Sequence, residues 1–258
     1  MSRLRARCPD CRTLTAVALG PDYECHSCGR VFHSGLVRVP RAWGAGGEAM
    51  VEAAALPLPF PEAGVVDEDT IAAQNLVLAT DLPMRPLVLG GCCVAHVGAV
   101  EGLAARHDRL AAVWIDAHGD LNTPETSPSG NPWGMPLRML IDAGTLDPRH
   151  VALVGARALD PPEEEFIDAS GIRTGEQGVD DVLADVSCVY VAVDADGLDA
   201  RDLRPFMPEP GGIRLDDAER LLGHVAERGT VVGAGFSGLA PDAANVAPLM
   251  RLAAALGL

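Results

Sequence analysis

No lysine occurs anywhere in the 258-residue chain; all 20 basic residues are arginine. That absence excludes a Walker-type lysine on nucleotide phosphates and a lysine Schiff base. Chemistry here falls to metals, acids, His, Cys or hydroxyls. Long apolar runs are missing too. None reaches the ~18 residues of a membrane span, and the opening MSRLRARCPDC has no apolar core, so neither a membrane segment nor a secretion signal is expected. Positive charge is scarce: the formal net charge is −16, which argues against a nucleic-acid surface on the main body. The shortage is uneven, since residues 1–41 hold seven Arg against Asp10, Asp22 and Glu24. A hydrophobic fraction of 48% is enough for a sizeable core. The expectation is a cytoplasmic protein of one large domain with a small module in front.

That module is read from cysteines. CPDC and CHSC are two C-x2-C knuckles, Cys8/Cys11 and Cys25/Cys28, with thirteen residues between them. Two matched pairs in a reducing compartment suit tetrahedral zinc, and a segment too short for a core would take its folding energy from the metal. A thiol redox pair is the weaker alternative, because no βαβ pattern surrounds either knuckle. His26 and His33 are read as surface residues. A zinc ribbon is expected over residues 1–36 and the main domain over 37–258. The ribbon suits docking of a protein partner, a nucleic acid or an oligomer contact.

The rest alternates. RPLVLGG (85–91), AAVWIDAH (111–118), VALVGAR (151–157), CVYVAVDAD (188–196) and TVVGAGF (230–236) read as buried parallel strands. TIAAQNLVLATDL, VGAVEGLAARH, GMPLRMLIDAG, LDDAERLLGHVAERG and AANVAPLMRLAAALGL read as helices. The alternation predicts an α/β domain with a mainly parallel sheet. In such sheets ligands sit outside the carboxyl ends of the strands, and the polar clusters fall there: Cys92 and Cys93, then Asp116, His118 and Asp120, then Asp194 and Asp196.

Alternate residues of an extended chain face the same way, so two strand ends can aim several oxygens and an imidazole at one point. Carboxylates at buried strand ends are costly unless paired or metal-bound, and Arg is sparse nearby. One or two divalent ions are expected, of the Mn2+, Zn2+, Fe2+ or Ni2+ kind. GAGFSG (233–238) spells G-x-G-x-x-G after a strand, but only twenty residues follow it. A turn leading to the last helix explains these glycines better than a dinucleotide site.

The stretches DAHGDLNTPETSPSGNPWGMP and VDADGLDA resemble the arginase/agmatinase (ureohydrolase) family, whose motifs run D-A-H-x-D-x-N, S-x-N-x-H-G and S-x-D-x-D-x-x-D-P. The resemblance implies a three-layer α/β/α fold and a two-metal site, usually dimanganese, that activates water to cleave a guanidinium and release urea. It implies that Asp116, His118, Asp120, Asp194 and Asp196 hold metal, with Asp120 and Asp194 also serving catalysis. It assigns Asn122, Ser129, Asn131 and Asp160 to an amino-acid head group, and it suggests a homo-oligomer.

The departures gather at the reacting end. The family's metal-binding His is Cys93 and the Asp before it is Cys92. Cys93 is read either as a thiolate ligand, favouring Zn2+ or Fe2+, or as a small buried residue. His96 is read as a substitute ligand or an ordinary helix residue, the latter preferred. Trp133 stands where the family's proton-shuttle His would be, Gly238 where its guanidinium-pairing Glu would be, and Ala200 replaces a Pro. An unpartnered buried guanidinium is costly, so arginine should bind poorly. The Asp116, His118, Asp194 and Asp196 set also resembles the one-metal arrangement of the deacetylases. The favoured expectation is a metal-dependent hydrolase of a linear C–N bond, guanidino, amidino or amide, in a small amino-acid-like substrate. The alternative is an altered family member that binds a metabolite or metal as a regulator.

Overall fold

The computed structural model describes residues 5–6, 8, 11, 13–19, 22–32 and 34–258. Arg3, Arg7, Asp10, Arg12 and His33, which entered the readings above, lie outside the described residues. At the front, β1 (Arg5–Ala6), β2 (Ala16–Leu19), β3 (Asp22–Cys25) and β4 (Val31–Phe32) form a small antiparallel sheet in chain order. After β3 the backbone turns through Cys28, and Gly29, at φ +73°, donates its N–H to the Cys25 carbonyl (2.7 Å). That left-handed conformation suits glycine. Tyr23 on β3 is fully buried and its hydroxyl donates to the Asp81 carbonyl of the main domain (3.4 Å).

The large sheet contains β5 (Ser34–Val39), β6 (Glu62–Val65), β7 (Arg85–Gly90), β8 (Ala111–Ile115), β9 (Val151–Val154), β10 (Arg173–Thr174), β11 (Cys188–Asp194) and β12 (Thr230–Ser237). Its order is β10-β9-β8-β11-β12-β7-β5-β6, and every pairing is parallel. Because β5 already belongs to this sheet from Ser34, a boundary at residue 36 falls inside a strand. Among the described residues, seven α-helices connect the strands, α1 (Glu48–Ala53), α2 (Ile71–Asp81), α3 (Ala95–Ala104), α4 (Pro136–Asp142), α5 (Pro161–Ser170), α6 (Gly175–Asp185) and α7 (Leu215–Arg228), and α8 (Val246–Ala255) follows the last strand.

Strand residues alternate between two cores. Ala112, Trp114, Tyr190 and Ala192 pack with Leu78 of α2, Leu103 of α3 and Leu140 of α4. Ala111, Val113, Ile115, Val189, Val191 and Val193 pack with Val182 of α6, Leu222 of α7 and Leu252 of α8. Helices on both faces explain why all of β8 is buried and why its sequence shows no polar alternation. Each fully buried Val or Leu in these layers contributes roughly 1.5–3 kcal/mol. The amphipathic α7 shows the complementary pattern, burying Leu215, Ala218, Leu221, Leu222 and Val225 on one stripe.

The chain lays down β5, β6 and β7 on one side, crosses to β8, builds outward to β10, then returns with β11 and β12 into the gap. Four central neighbours, β8-β11-β12-β7, thus bring distant segments to one edge of the sheet.

Candidate metal centre

All four of those strands end at one place. Cys92 and Cys93 follow β7, Asp116 follows β8, Asp194 closes β11 and Ser237 closes β12. Asp116 and Asp194 continue the face that carries Trp114 and Ala192. The next acids do not arrive by simple extension. The strand ends at Ile115, and the His118 N–H donates back to Asp116 Oδ1 (2.7 Å). Asp120 sits at φ +53°, alone among described non-glycine residues in the left-handed region. Asp196 lies in a 3-10 turn (Ala195–Gly197), its N–H donating to Asp194 Oδ1 (3.0 Å). Carboxylate-capped turns rather than strand alternation converge the ligands.

Two groups of donor atoms result. Cys93, Asp116 and Asp120 place one ligand atom each within 4.8 Å of one another, and so do Asp116, His118 and Asp196. Asp116 belongs to both. Asp194 joins them: its Oδ2 receives the Cys93 thiol at 2.7 Å and the Ser237 hydroxyl at 3.2 Å. His118 Nδ1 lies 3.4 Å from Asp116 Oδ1 and 3.2 Å from Asp196 Oδ2, and its Nε2 faces Glu209 at 4.0 Å.

The electrostatics call for cations. Asp116, Asp120, Asp194 and Asp196 are all buried, and Asp116 Oδ2 has no hydrogen-bond partner. Burial first, then repulsion from neighbouring carboxylates, raises all four above the usual range, Asp194 to about 7. His118 is pushed up to about 12 by its contacts with Asp116 and Asp196. The nearby Arg157 brings no relief, because its guanidinium is spent on the carbonyls of Gly155, Asp196, Glu209 and Pro210. An orphaned buried oxygen within a shared set of carboxylates, imidazole and thiol fits divalent ions.

The two neighbouring cysteines differ. Cys92 accepts from the Trp43 N–H (3.4 Å), donates to the Arg41 carbonyl (3.6 Å) and is pushed to about 12 by burial, so it anchors a loop. Cys93 faces the ligands. His96 lies in α3 and belongs to neither donor cluster, as the helix-residue reading has it. It is buried at one remove from the metal-type ligands, Nδ1 2.9 Å from the Tyr190 hydroxyl and Nε2 3.1 Å from Ser237 Oγ. The glycines of GAGFSG serve close packing. Gly233 and Gly235 lie within β12, and a Cβ on Gly235 would fall 2.6 Å from the Tyr190 hydroxyl. Gly238, at φ +65°, lies so close to Asp194 that a Cβ would overlap its carboxylate.

A cavity of about 330 Å3 opens over the ligands, lined also by Asn122, Ser127, Ser129, Asp160, Trp133, Phe206, Met207 and Gly238. Asn122 donates to Asp160 Oδ2 (2.9 Å) and is held by the Thr126 hydroxyl (2.9 Å). Ser129 is exposed. The Asn131 side-chain oxygen accepts from the Ala45 N–H (2.9 Å), tying down the glycine-rich loop on which Trp133 rests. Glu163, absent from the sequence reading, is buried and receives the N–H groups of Leu121 (2.9 Å) and Asp160 (3.0 Å). It fastens the Asp120–Asn122 segment to Asp160. Its only sequence signal is Glu three residues into a Pro-led helix start.

The four knuckle cysteines also converge. Sulfurs of Cys8 and Cys28 lie 3.5 Å apart and those of Cys11 and Cys25 3.6 Å apart. Those spacings sit near the ~3.8 Å edge of a tetrahedron with ~2.3 Å zinc–sulfur bonds. His26 is exposed, in keeping with its surface reading.

The family model described as Arginase family matches residues 49–257. Arginase from Bacillus caldovelox is 34% identical over 197 residues, covering 64% of this chain and 66% of that protein. Arginase from Bacillus subtilis (strain 168) is 34% identical over 190 residues, with 64% of each covered. The chain thus spans just under two thirds of the length of these curated relatives. The solved arginase from Bacillus subtilis aligns with a TM-score of 0.77 at 26% identity, over 87% of this chain and 98% of that one.

Proposed function

The chain belongs to the arginase family, and from that premise we propose that it is a metal-dependent hydrolase of a C–N bond in a small amino-acid-like substrate. One observation carries the reading: two adjoining donor clusters share Asp116, whose second oxygen is buried and unpartnered. Asp116, His118, Asp120, Asp194, Asp196 and Cys93 would hold one or two divalent ions, and Cys8, Cys11, Cys25 and Cys28 a structural zinc. When bound, the ions of the body supply Lewis acidity and lower the pKa of water near neutral pH.

The chain's own residues divide the remaining work. Asn122 and Asp160, already hydrogen-bonded to each other, with Ser129 at the cavity rim, offer acceptors and donors to an amino-acid head group. Glu163 orients that pair through two backbone N–H groups. Trp133, Phe206 and Met207 present apolar surface that excludes water. Gly238 brings no carboxylate, so a guanidinium would be desolvated without an anionic partner there. A neutral or less strongly cationic C–N group, an amide or amidine, fits better than arginine. The ligand thiols suit a reducing compartment, which favours the cytoplasm.

A second reading has its own support. Gly238 and Trp133 both remove groups expected at the reacting end, which would suit a metabolite- or metal-binding regulator. Metal content decides first. Full-length protein purified without added metal should carry ions beyond the ribbon's zinc, and Asp116→Asn should remove only those. Hydrolysis of amides or amidines that a chelator abolishes then selects the enzyme. Metal content and turnover both indifferent to Asp116→Asn would sink the hydrolase reading.

A further inference from the structure

The two donor clusters are chemically unlike. One joins the Cys93 sulfur to oxygens of Asp116 and Asp120; the other joins Asp116, His118 and Asp196 without sulfur. Thiolate favours zinc or ferrous ions over manganese, whereas carboxylate with imidazole accepts harder ions as well.

Behind the sulfur runs a buried polar chain whose direction follows from its connections. The Tyr190 hydroxyl has His96 Nδ1 at 2.9 Å, and a buried phenol must donate to be satisfied. His96 then carries its proton on Nε2 and donates to Ser237 Oγ (3.1 Å). Ser237 in turn donates to Asp194 Oδ2 (3.2 Å), the oxygen that also receives the Cys93 thiol, and its Oγ lies 3.3 Å from that sulfur. The absence of a side chain at Gly235 makes room, since a Cβ there would sit 2.7 Å from the His96 ring. Tyr190, His96 and Ser237 are each no more than 1% exposed. A cysteine that only filled space would need no such relay, and buried polar groups are costly unless they are satisfied.

We propose that the centre is divided. Cys93 with Asp116 and Asp120 selects a thiophilic divalent ion of the zinc, cobalt or ferrous class, while Asp116, His118 and Asp196 bind a second ion through oxygen and nitrogen alone. His96 is the positioning residue that, through Ser237, keeps Asp194 and the sulfur in register. Binding replaces the S–H bond by a sulfur–metal bond and releases the proton to solvent, with no change of oxidation state. The proposal rests on the metal-centre reading above.

The test uses full-length protein, stripped of metal, given zinc to fill the ribbon, then titrated with cobalt(II). Cobalt bound to thiolate gives a near-ultraviolet charge-transfer band. Wild type should develop that band; Cys93→Ser should lack it yet still bind cobalt at the sulfur-free cluster. Cys93→His should abolish the band and shift manganese–zinc competition toward manganese by roughly tenfold or more. His96→Ala, with Ser237→Ala as the second variant, should keep the band but weaken cobalt affinity roughly 10–100-fold. A merely structural role would lower the melting temperature and leave that affinity unchanged in both variants, which overturns the positioning assignment. Cobalt uptake that Asp116→Asn removes but that never carries the band overturns the divided centre and leaves the metal-centre reading standing. Uptake indifferent to Asp116→Asn overturns both.

Discussion

The front module and the main domain each gather metal-type ligands, and they do so in opposite ways. Four sulfurs meet between short strands, two of them only two residues long. With so little apolar area to bury, the fold there would depend on the ion. In the body, the acids stand at the ends of strands buried on both faces by helices, so the scaffold does not depend on an ion. In one region the metal would make the structure; in the other the structure tolerates crowded carboxylates in order to make a site.

The comparison can be broken most forcefully by removing zinc's ligands. Cys25→Ser should unfold the module, removing a contribution on the order of 10 kcal/mol, while the main domain keeps its circular-dichroism melt. Asp116→Asn should do the reverse. Body metal is lost and turnover falls on the order of a thousandfold, since bound ions supply several kcal/mol to the transition state. Yet the metal-free domain should melt higher, because a buried charge facing Asp194 has gone.

Acidity sharpens the contrast. Asp194 is raised from 3.8 to about 7 by burial and by Asp196, with the other three acids raised as well. The folded apo state therefore binds protons that the unfolded chain releases. This stability is fully present below about pH 4 and lost as pH rises through about 7. Melts of chelated protein should show that decline, and melts of metal-loaded protein should not. A flat profile in the chelated protein would contradict the described crowding. Gly238→Ala should cost roughly 1–3 kcal/mol from its left-handed backbone and lower body metal affinity without touching ribbon zinc. Smallest of all, Arg251→Ala removes exposed ion pairs to Asp216 and Glu219. It should shift stability by no more than about 1 kcal/mol and leave both metal contents unchanged.

Much of this was legible in the chain, and the limits have physical causes. The strands around Val113 and Val191 and the helix at Leu221 announce themselves by local pattern. β5 was hidden because SGLVRV follows the cysteine knuckles so closely that it reads as part of them. α5 was hidden because PPEEEFIDAS carries prolines and acids in place of an apolar stripe, and α6 because the short stripe of Val179, Val182 and Leu183 in GEQGVDDVLAD is interrupted by glycine and acids. The metal-type residues could be read because each set lies within five residues of a strand end. Ser237, Tyr190 and Glu163 could not. Their meaning comes from partners 42 to 141 residues away, which only the assembled sheet and its connecting segments bring together.

The cramped backbone at Gly238 also bears on how this site could change over time. Any side chain there, at the cavity wall, meets the Asp194 carboxylate. A carboxylate introduced at position 238 alone would therefore crowd the Asp194 side chain as well as offer a guanidinium partner. Directed evolution toward arginine should diversify residues 237–239 together with 194, and libraries that vary position 238 alone should yield only disabled variants.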